Sequence, residues 1–217
     1  MDRQATPLPM SLMLLGILYG GMVTLAGVLG AKQVALGPLA VEAGIFPFLL
    51  LVGISSGVTR LHDERMGQSF VRLGLIPLVV AIALTLFVLQ LPNDPGMYPP
   101  AKEAFPVILG QSWRLMFAGI VAYGVSVTLN VSLFARLSAR LKNWPGIAGF
   151  LAAALSQIVD TFLFITISFL GVRPVAELYA GQMIAKVVLS ALMIPLVIRL
   201  VIWLARRIDA SRDLSVS

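Results

Sequence analysis

The sequence predicts an all-α membrane protein with six transmembrane helices and both termini in the cytoplasm. The chain has 217 residues, of which 59% are hydrophobic and only 12% are charged. A soluble globular domain has about 45–50% apolar and about 25% charged residues, so this chain has too few charges for a water-soluble surface. Disorder is also excluded, because this much apolar surface must be buried. We expect one multi-pass domain over residues 1–217, in the inner (plasma) membrane of the cell.

Each predicted helix is an apolar run of about 20 residues or more, the length that crosses a ~30 Å hydrocarbon core. The first run carries no formal charge between Gln4 and Ala31. Pro47 interrupts the second helix, and Pro145 and Gly171 bound the fifth. The six predicted helices cover about 9–31, 38–59, 70–91, 112–138, 146–171 and 179–205.

The placement of lysine and arginine predicts the orientation, because cytoplasmic loops of membrane proteins carry an excess of these residues. Eleven of them fall on the side that holds both termini and the second and fourth loops, against four on the other side, with Lys186 counted with neither. The formal charge of +6 therefore indicates a cytoplasmic-face bias and no binding of nucleic acid. The loop over 92–111, which is rich in proline, is expected outside and mostly irregular.

The composition excludes several kinds of active site. There is no cysteine, which removes disulfides, thiol nucleophiles and iron–sulfur clusters. The single histidine, His62, excludes a multi-histidine metal site. The sequence also has neither a phosphate-binding loop nor a dinucleotide fingerprint. We therefore expect no metal, no cofactor and no enzymatic activity.

Polar side chains inside the predicted helices are the candidates for a binding site, because a charge at the bilayer centre costs about 2.5–3.5 kcal/mol on insertion scales. Asp160 lies near the middle of the fifth helix, with Gln157 on the same face. Lys186 lies about two turns into the sixth helix, where it either extends to the interface or pairs with Asp160 or Glu42. The alternative role for Asp160 is packing, in a hydrogen-bond cluster or as the partner of Lys186.

The fourth predicted helix carries a second polar stripe. Ala122, Ser126 and Asn130 follow one another at helical spacing, with Tyr123 beside them. This stripe is either a packing face or a ligand face, and Arg114 opens the same helix at the predicted outer interface. Polar groups on several helices imply a cavity near mid-membrane, which favours a transporter over an enzyme. A channel is the alternative, although nothing in the sequence resembles a filter.

A more specific pattern is densest in the fourth and fifth predicted helices. The positions that carry it are Arg114, Ala122-Tyr123, Asn130-Val131, Trp144, Gln157-Ile-Val-Asp-Thr161, Ile167-Ser-Phe-Leu-Gly171, Lys186 with Pro195, Lys32 and Phe46-Pro47-Phe48. In these positions the chain resembles the queuosine precursor transporter family, which was earlier described as a vitamin uptake family. The resemblance spans about 25–200 and is densest over 110–172.

Three features depart from the pattern of that family. Gly27 stands where the family usually has Asn, and Val127 where it usually has Gln. The stretch 54–60 lacks the Asp that usually follows the Phe-Pro pair. We expect these differences to bear on which substrate is bound more than on the fold.

The resemblance implies uptake of 7-cyano- or 7-aminomethyl-7-deazaguanine, the bases used to make the tRNA nucleoside queuosine. A deazaguanine presents a ring N–H and an exocyclic amine side by side, and one carboxylate can accept both. We expect Asp160 to be that acceptor, and Gln157 and Asn130 to satisfy the carbonyl and the pyrrole edge. Phe46, Phe48, Tyr123 and Phe164 are the candidates for a ring that stacks on the base. Arg114 and Lys186 are the candidates for a cation that balances the carboxylate or gates the outer mouth.

Two other functions are kept open at this point. One is a membrane substrate-binding subunit of a multi-component vitamin or nucleobase uptake system, which works only with an energising partner. The other is a structural membrane protein in which Asp160 and Lys186 form a packing pair. The expected partners are a small planar nucleobase-like substrate and the lipid bilayer, and a homo-oligomer is an open alternative.

Overall fold

The computed structural model describes residues 8–37, 39–110, 113–171 and 175–213. Within these ranges the chain forms seven helices and one two-stranded hairpin. The elements are α1 (Met10–Leu29), β1 (Gln33–Leu36), β2 (Leu39–Glu42), α2 (Ile45–Leu61), α3 (Glu64–Leu89), α4 (Pro99–Leu109), α5 (Trp113–Arg140), α6 (Pro145–Phe169) and α7 (Ala176–Asp213).

Five of the helices are long and apolar enough to cross a membrane, namely α1, α3, α5, α6 and α7. This confirms the prediction of a multi-pass helical membrane protein. The remaining predicted span is the second one, which corresponds to α2. This helix has only 17 residues, and at 1.5 Å per residue it is about 26 Å long, less than the ~30 Å hydrocarbon core. The bounds of α1, α5 and α6 lie within two residues of the predictions. Position 112, the predicted start of the fourth helix, lies outside the described residues.

The predicted second helix, 38–59, is wrong at its beginning, where the chain forms a hairpin. Leu39–Glu42 form β2, which pairs antiparallel with β1. Gly37 has a φ of 61°, a left-handed conformation that glycine adopts readily and that opens the turn. Pro38 lies outside the described residues. Because these residues are used in the hairpin, the helix begins only at Ile45.

Three further boundaries differ from the predictions. α3 begins at Glu64, six residues earlier than predicted, because the Asp63 carboxylate caps it by accepting a backbone N–H at 2.7 Å. The loop 92–111 is not mostly irregular, since Pro99–Leu109 form α4; position 111 lies outside the described residues. Proline in the first turn of a helix removes no helical hydrogen bond, so the prolines that open α4 are compatible with it. α7 continues beyond its predicted end at 205 to Asp213.

Two hydrophobic clusters fill the bundle, and α2 lies between them. The α1–α3 cluster joins α1 and α3 to parts of α2, α5 and α7, around side chains such as Leu15 and Phe70. The α6–α7 cluster joins α6 and α7 to β2, α2 and α5, around Leu49, Phe134 and Ile194. These two clusters fix the positions of α5, α6 and α7 relative to α2.

Small residues bring α7 close to its neighbours. A Cβ atom at Gly53 of α2 would overlap Val197, and one at Gly149 of α6 would overlap Ile198. Close helix approach through small residues is a common way to gain packing contacts inside a membrane. α7 is therefore held tightly against both α2 and α6.

Polar contacts gather the basic ends of several helices at one end of the bundle. The backbone N–H and the hydroxyl of Ser11 both donate to the Asp209 carboxylate, at 3.1 and 2.6 Å. The Arg60 guanidinium donates to the carbonyl of Lys142 at 3.4 Å. The start of α1, the end of α2, the α5–α6 loop and the end of α7 thus lie together, as the lysine and arginine pattern predicts. We call this the basic end of the bundle.

Candidate functional site

A buried ion pair joins α6 to α7. The Lys186 ammonium nitrogen lies 3.1 Å from Oδ2 of Asp160, and the two side chains are only 9% and 10% exposed. Of the alternatives left open by the sequence, the structure has Lys186 paired with Asp160. A charged side chain inside a membrane protein is costly unless it is paired, so each of these residues accounts for the presence of the other.

The polar stripe of the fourth predicted helix, now α5, contributes two residues to the surroundings of the Asp160 carboxylate. Ser126 donates its hydroxyl to Oδ1 of Asp160 at 3.0 Å. Asn130, one turn further along α5, donates through Nδ2 to the Ser56 hydroxyl of α2 at 3.2 Å. Each oxygen of Asp160 thus has one partner among the described residues, and a carboxylate oxygen can accept a further donor. The site therefore lies where α2, α5, α6 and α7 meet.

Several buried polar atoms near Asp160 along α6, or on the α5 stripe, have no partner among the described residues. Gln157 is 1% exposed and lies one turn before Asp160, and in the described part of the chain neither its Oε1 nor its Nε2 makes a hydrogen bond. The same is true of Asn130 Oδ1 and Thr161 Oγ1. A buried polar atom left unpaired costs about 1–3 kcal/mol, and most such atoms in folded proteins have a partner. These atoms can therefore bind a polar ligand or ordered water.

We refer to seven polar residues of this site as the polar cluster. They share deep burial and positions on the facing sides of four helices. Its members are Ser56, Ser126, Asn130, Gln157, Asp160, Thr161 and Lys186.

Two members of the polar cluster lie near the middle of their helices. Gln157 is twelve residues from each end of α6, which corresponds to about 18 Å in either direction. Ser126 lies next to the midpoint of α5. A polar site at this depth is shielded from bulk water, where electrostatic contacts and hydrogen bonds are stronger than at a surface.

The β-hairpin contacts the N-terminal part of α7, at the opposite end of the bundle from the basic end. Gln182, one turn before Lys186, donates through Nε2 to a carboxylate oxygen of Glu42 at 3.4 Å. Glu42 was expected inside the second helix, but it is the last residue of β2. The hairpin in turn is attached to the end of α1, since Ala43 donates its backbone N–H to the Lys32 carbonyl at 2.8 Å.

Arg114 lies at the end of α6 and bonds to its backbone. Its guanidinium donates to the carbonyl of Ile167 and, at 2.8 Å, to that of Leu170. The last carbonyls of a helix lack helical partners and carry the negative end of the helix dipole. Arg114 thus ties the start of α5 to the end of α6, and the structure places none of its hydrogen bonds on the polar cluster.

The predicted aromatic candidates occupy three different places. The Tyr123 hydroxyl lies 2.9 Å from that of Tyr19 and donates to the Val71 carbonyl at 3.2 Å, within the α1–α3 cluster. Phe46 packs against the α6–α7 cluster and Phe48 against both clusters. The Phe164 ring packs edge-on against Phe169, with centroids 6.4 Å apart.

The structure therefore brings together four of the predicted site residues, Asp160, Lys186, Gln157 and Asn130. The partner that sequence reasoning missed is Ser56, which lies in the stretch 54–60 that departs from the family pattern. The sequence of α2 does contain a signal that could have found Ser56. Ser55, Ser56 and Thr59 are polar residues grouped in an otherwise apolar helix, and all three are buried.

Two surface cavities of about 390 and 320 Å³ lie at the basic end, around Arg199. Neither is lined by a residue of the polar cluster. Because every residue of that cluster is buried, the site that it forms is closed in this conformation.

The comparison with protein families matches most of the chain. A family described as "Putative vitamin uptake transporter" covers residues 42–200, which includes the whole polar cluster. No curated protein and no solved structure matches the chain. This confirms the resemblance inferred from the helix patterns at the level of the family. The chain therefore belongs to the vitamin uptake transporter family whose model covers residues 42–200.

Proposed function

We propose that this protein imports 7-cyano- or 7-aminomethyl-7-deazaguanine across the inner (plasma) membrane, and that the polar cluster binds the base. Membership of an uptake family and five long apolar helices support a membrane transporter. The observation that carries the proposal is Gln157, a fully buried amide at the midpoint of α6 whose donor and acceptor have no partner among the described residues. Such an amide matches a ligand that offers both a carbonyl and an N–H group.

The remaining atoms of the cluster complement the other edge of a deazaguanine. Asp160 accepts the ring N–H and the exocyclic amine, in addition to the hydroxyl of Ser126. Asn130 Oδ1, which has no partner in the described residues, is a further acceptor close by. Phe48, two turns before Ser56 on α2, is the ring proposed to stack on the base.

Lys186 keeps the site neutral when no base is bound. Its ammonium group lies 3.1 Å from the Asp160 carboxylate and balances its charge. When the paired N–H donors of the base reach Asp160, they contribute hydrogen bonds to the same ionised group. The acceptor is therefore ready for the ligand in both states.

The proposed orientation has the basic end in the cytoplasm and 92–111 outside. A cysteine introduced at Ala101 is expected to react with an impermeant thiol reagent in intact cells, and one at Ser211 is not. Since the natural chain has no cysteine, each label reports one position. The reverse pattern would contradict the proposed orientation.

A membrane substrate-binding subunit is the second candidate, and the closed conformation of the polar cluster favours it. A site buried on all sides needs a conformational change for release, and an energising partner is one source of that change. Uptake in cells that lack candidate ATPase partners distinguishes the two, because only an autonomous carrier retains it.

The experiment that tests the proposal is uptake of a labelled deazaguanine by cells that express Gln157→Leu. We expect uptake to fall by at least about tenfold, the factor that corresponds to 1.4 kcal/mol, at an unchanged level of membrane protein. Ser138→Ala is the matched control, because it removes another buried polar group without a partner in the described residues, two turns beyond Asn130. Competition by guanine and queuine identifies the base. Normal uptake by Gln157→Leu would contradict the proposed site.

A further inference from the structure

An uncompensated basic cavity lies near the end of α7, far from the polar cluster. It has a volume of about 390 Å³ and is lined by Arg199, Ile202, Trp203, Arg206 and Arg207. Three of the five lining side chains are arginines, and none is acidic. A cavity with this lining attracts an anion.

No described carboxylate neutralises these arginines. The one ion pair found among the described residues is that of Asp160 with Lys186. Asp209 is the nearest acid along α7; its two oxygens accept hydrogen bonds from Ser11, and among the described residues it forms no ion pair with an arginine. The three positive charges are therefore available to a negatively charged partner.

Trp203 gives the cavity the character of a membrane interface. The guanidinium carbon of Arg207 lies 5.8 Å from the centre of the Trp203 ring, within the range of a cation–π contact. Tryptophan is enriched where a membrane protein crosses the headgroup region. We therefore expect the cavity to lie near the depth of the lipid phosphates.

An apolar surface leads from this cavity along the membrane-facing side of α7. Leu192, Leu196, Leu200 and Trp203 follow each other at helical spacing, and each side chain is more than half exposed. A second cavity of about 320 Å³ shares Arg199 and is otherwise lined largely by apolar groups of α6 and α7, including Ile147 and Phe150. Apolar surface that continues into a basic cavity fits an amphiphilic ligand better than a free anion.

We propose that this end of α7 is a binding site for an anionic phospholipid, with the phosphate between Arg199, Arg206 and Arg207. The acyl chains would lie along the exposed leucines. The planar guanidinium group binds a phosphate through two parallel hydrogen bonds, and basic pockets between transmembrane helices are suited to anionic headgroups. This site is independent of the proposed base-binding site.

The test compares lipid retention by the purified full-length protein, measured by native mass spectrometry. We expect phosphatidylglycerol to bind at least about tenfold more tightly than phosphatidylcholine. The triple variant R199Q/R206Q/R207Q is expected to lose this preference. The triple variant R65Q/R136Q/R140Q is the control, because it removes the same charge from exposed arginines at the same end of the bundle.

Several outcomes would overturn the proposal. Equal loss of preference in both triple variants would mean that overall surface charge binds the lipid. Displacement of phosphatidylglycerol by millimolar inorganic phosphate would mean a site for small anions. If the first triple variant does not fold, R206Q/R207Q compared with R136Q/R140Q gives the same contrast, and an unchanged lipid preference there would also contradict the proposal.

Discussion

The tyrosine pair of the α1–α3 cluster and the polar cluster are both buried polar groups, but only the first is satisfied. The hydroxyls of Tyr19 and Tyr123 bond to each other, and Tyr123 donates onward to the backbone carbonyl of Val71. In the polar cluster, Asp160 and Lys186 are paired, while both amide atoms of Gln157 have no partner in the described residues. The two regions share burial and differ in their hydrogen bonding.

This difference separates packing from ligand binding. A satisfied network fixes how helices pack and leaves no polar atom for a ligand. An unsatisfied amide costs about 1–3 kcal/mol in the empty protein, a cost that binding of a complementary ligand removes. On this basis we expect Tyr123, a candidate from the sequence, to have a packing role, and Gln157 to be the more informative member of the candidate set.

The largest effect is expected from breaking the buried ion pair. Lys186→Met or Asp160→Asn alone leaves a buried group without its partner and should lower the free energy of unfolding by about 3–5 kcal/mol. The double variant D160L/K186M should recover most of this loss, because no buried charge remains. Thermal unfolding of the purified protein in detergent measures all three. Single variants as stable as the natural protein would mean that the pair is solvated.

A smaller loss is expected when the satisfied network is cut. Tyr123→Phe removes the hydroxyl that links Tyr19 to the Val71 carbonyl and should cost about 1–3 kcal/mol of unfolding free energy. Uptake per protein molecule should not change, since the hydroxyl bonds lie outside the polar cluster. Uptake that falls while stability is retained would place Tyr123 in the binding site after all.

The smallest effect is expected from an unpartnered hydroxyl. Thr161→Val keeps the shape of a fully buried side chain and removes Oγ1, which has no partner in the described part of the chain. Stability should stay within about 0.5 kcal/mol of the natural protein or rise, because no hydrogen bond is lost. A loss as large as that of Tyr123→Phe, in the same unfolding assay, would show that the hydroxyl is bonded in the protein and would remove the contrast between the two regions.

The sequence predicts the long helices and singles out several residues of the polar cluster, for a physical reason. Uncharged apolar runs have no stable alternative to crossing the membrane, and a charge within such a run needs a partner. The same logic singled out Asp160 and Lys186, and helical spacing added Gln157 and Asn130. Which face of α5 and of α2 meets Asp160 depends on tertiary packing, and so Ser56 was missed.

The errors of the sequence analysis fall where local chemistry competes with hydrophobicity. The run after Gly37 is apolar enough for a helix, but the left-handed turn at this glycine pairs the flanking residues as strands instead. Pro99–Leu109 form a helix although prolines suggested a loop; the two that open it stand in the first turn, where proline is tolerated, and the helix continues through Pro106. Arg114 was predicted to balance the carboxylate or to gate the outer mouth; it bonds to the carbonyls at the end of α6, and its role toward a ligand stays a prediction.

The most direct test of the central claim is stabilisation of the purified protein by 7-aminomethyl-7-deazaguanine, with Gln157→Leu beside the natural chain. A ligand at one hundred times its Kd adds about 2.7 kcal/mol to the free energy of unfolding. We predict that the natural protein shows a saturable gain of this kind. Gln157→Leu should be at least as stable without ligand and should lose most of the gain. An equal gain in both proteins, or none in the natural protein, would contradict the assignment of the polar cluster as the base-binding site.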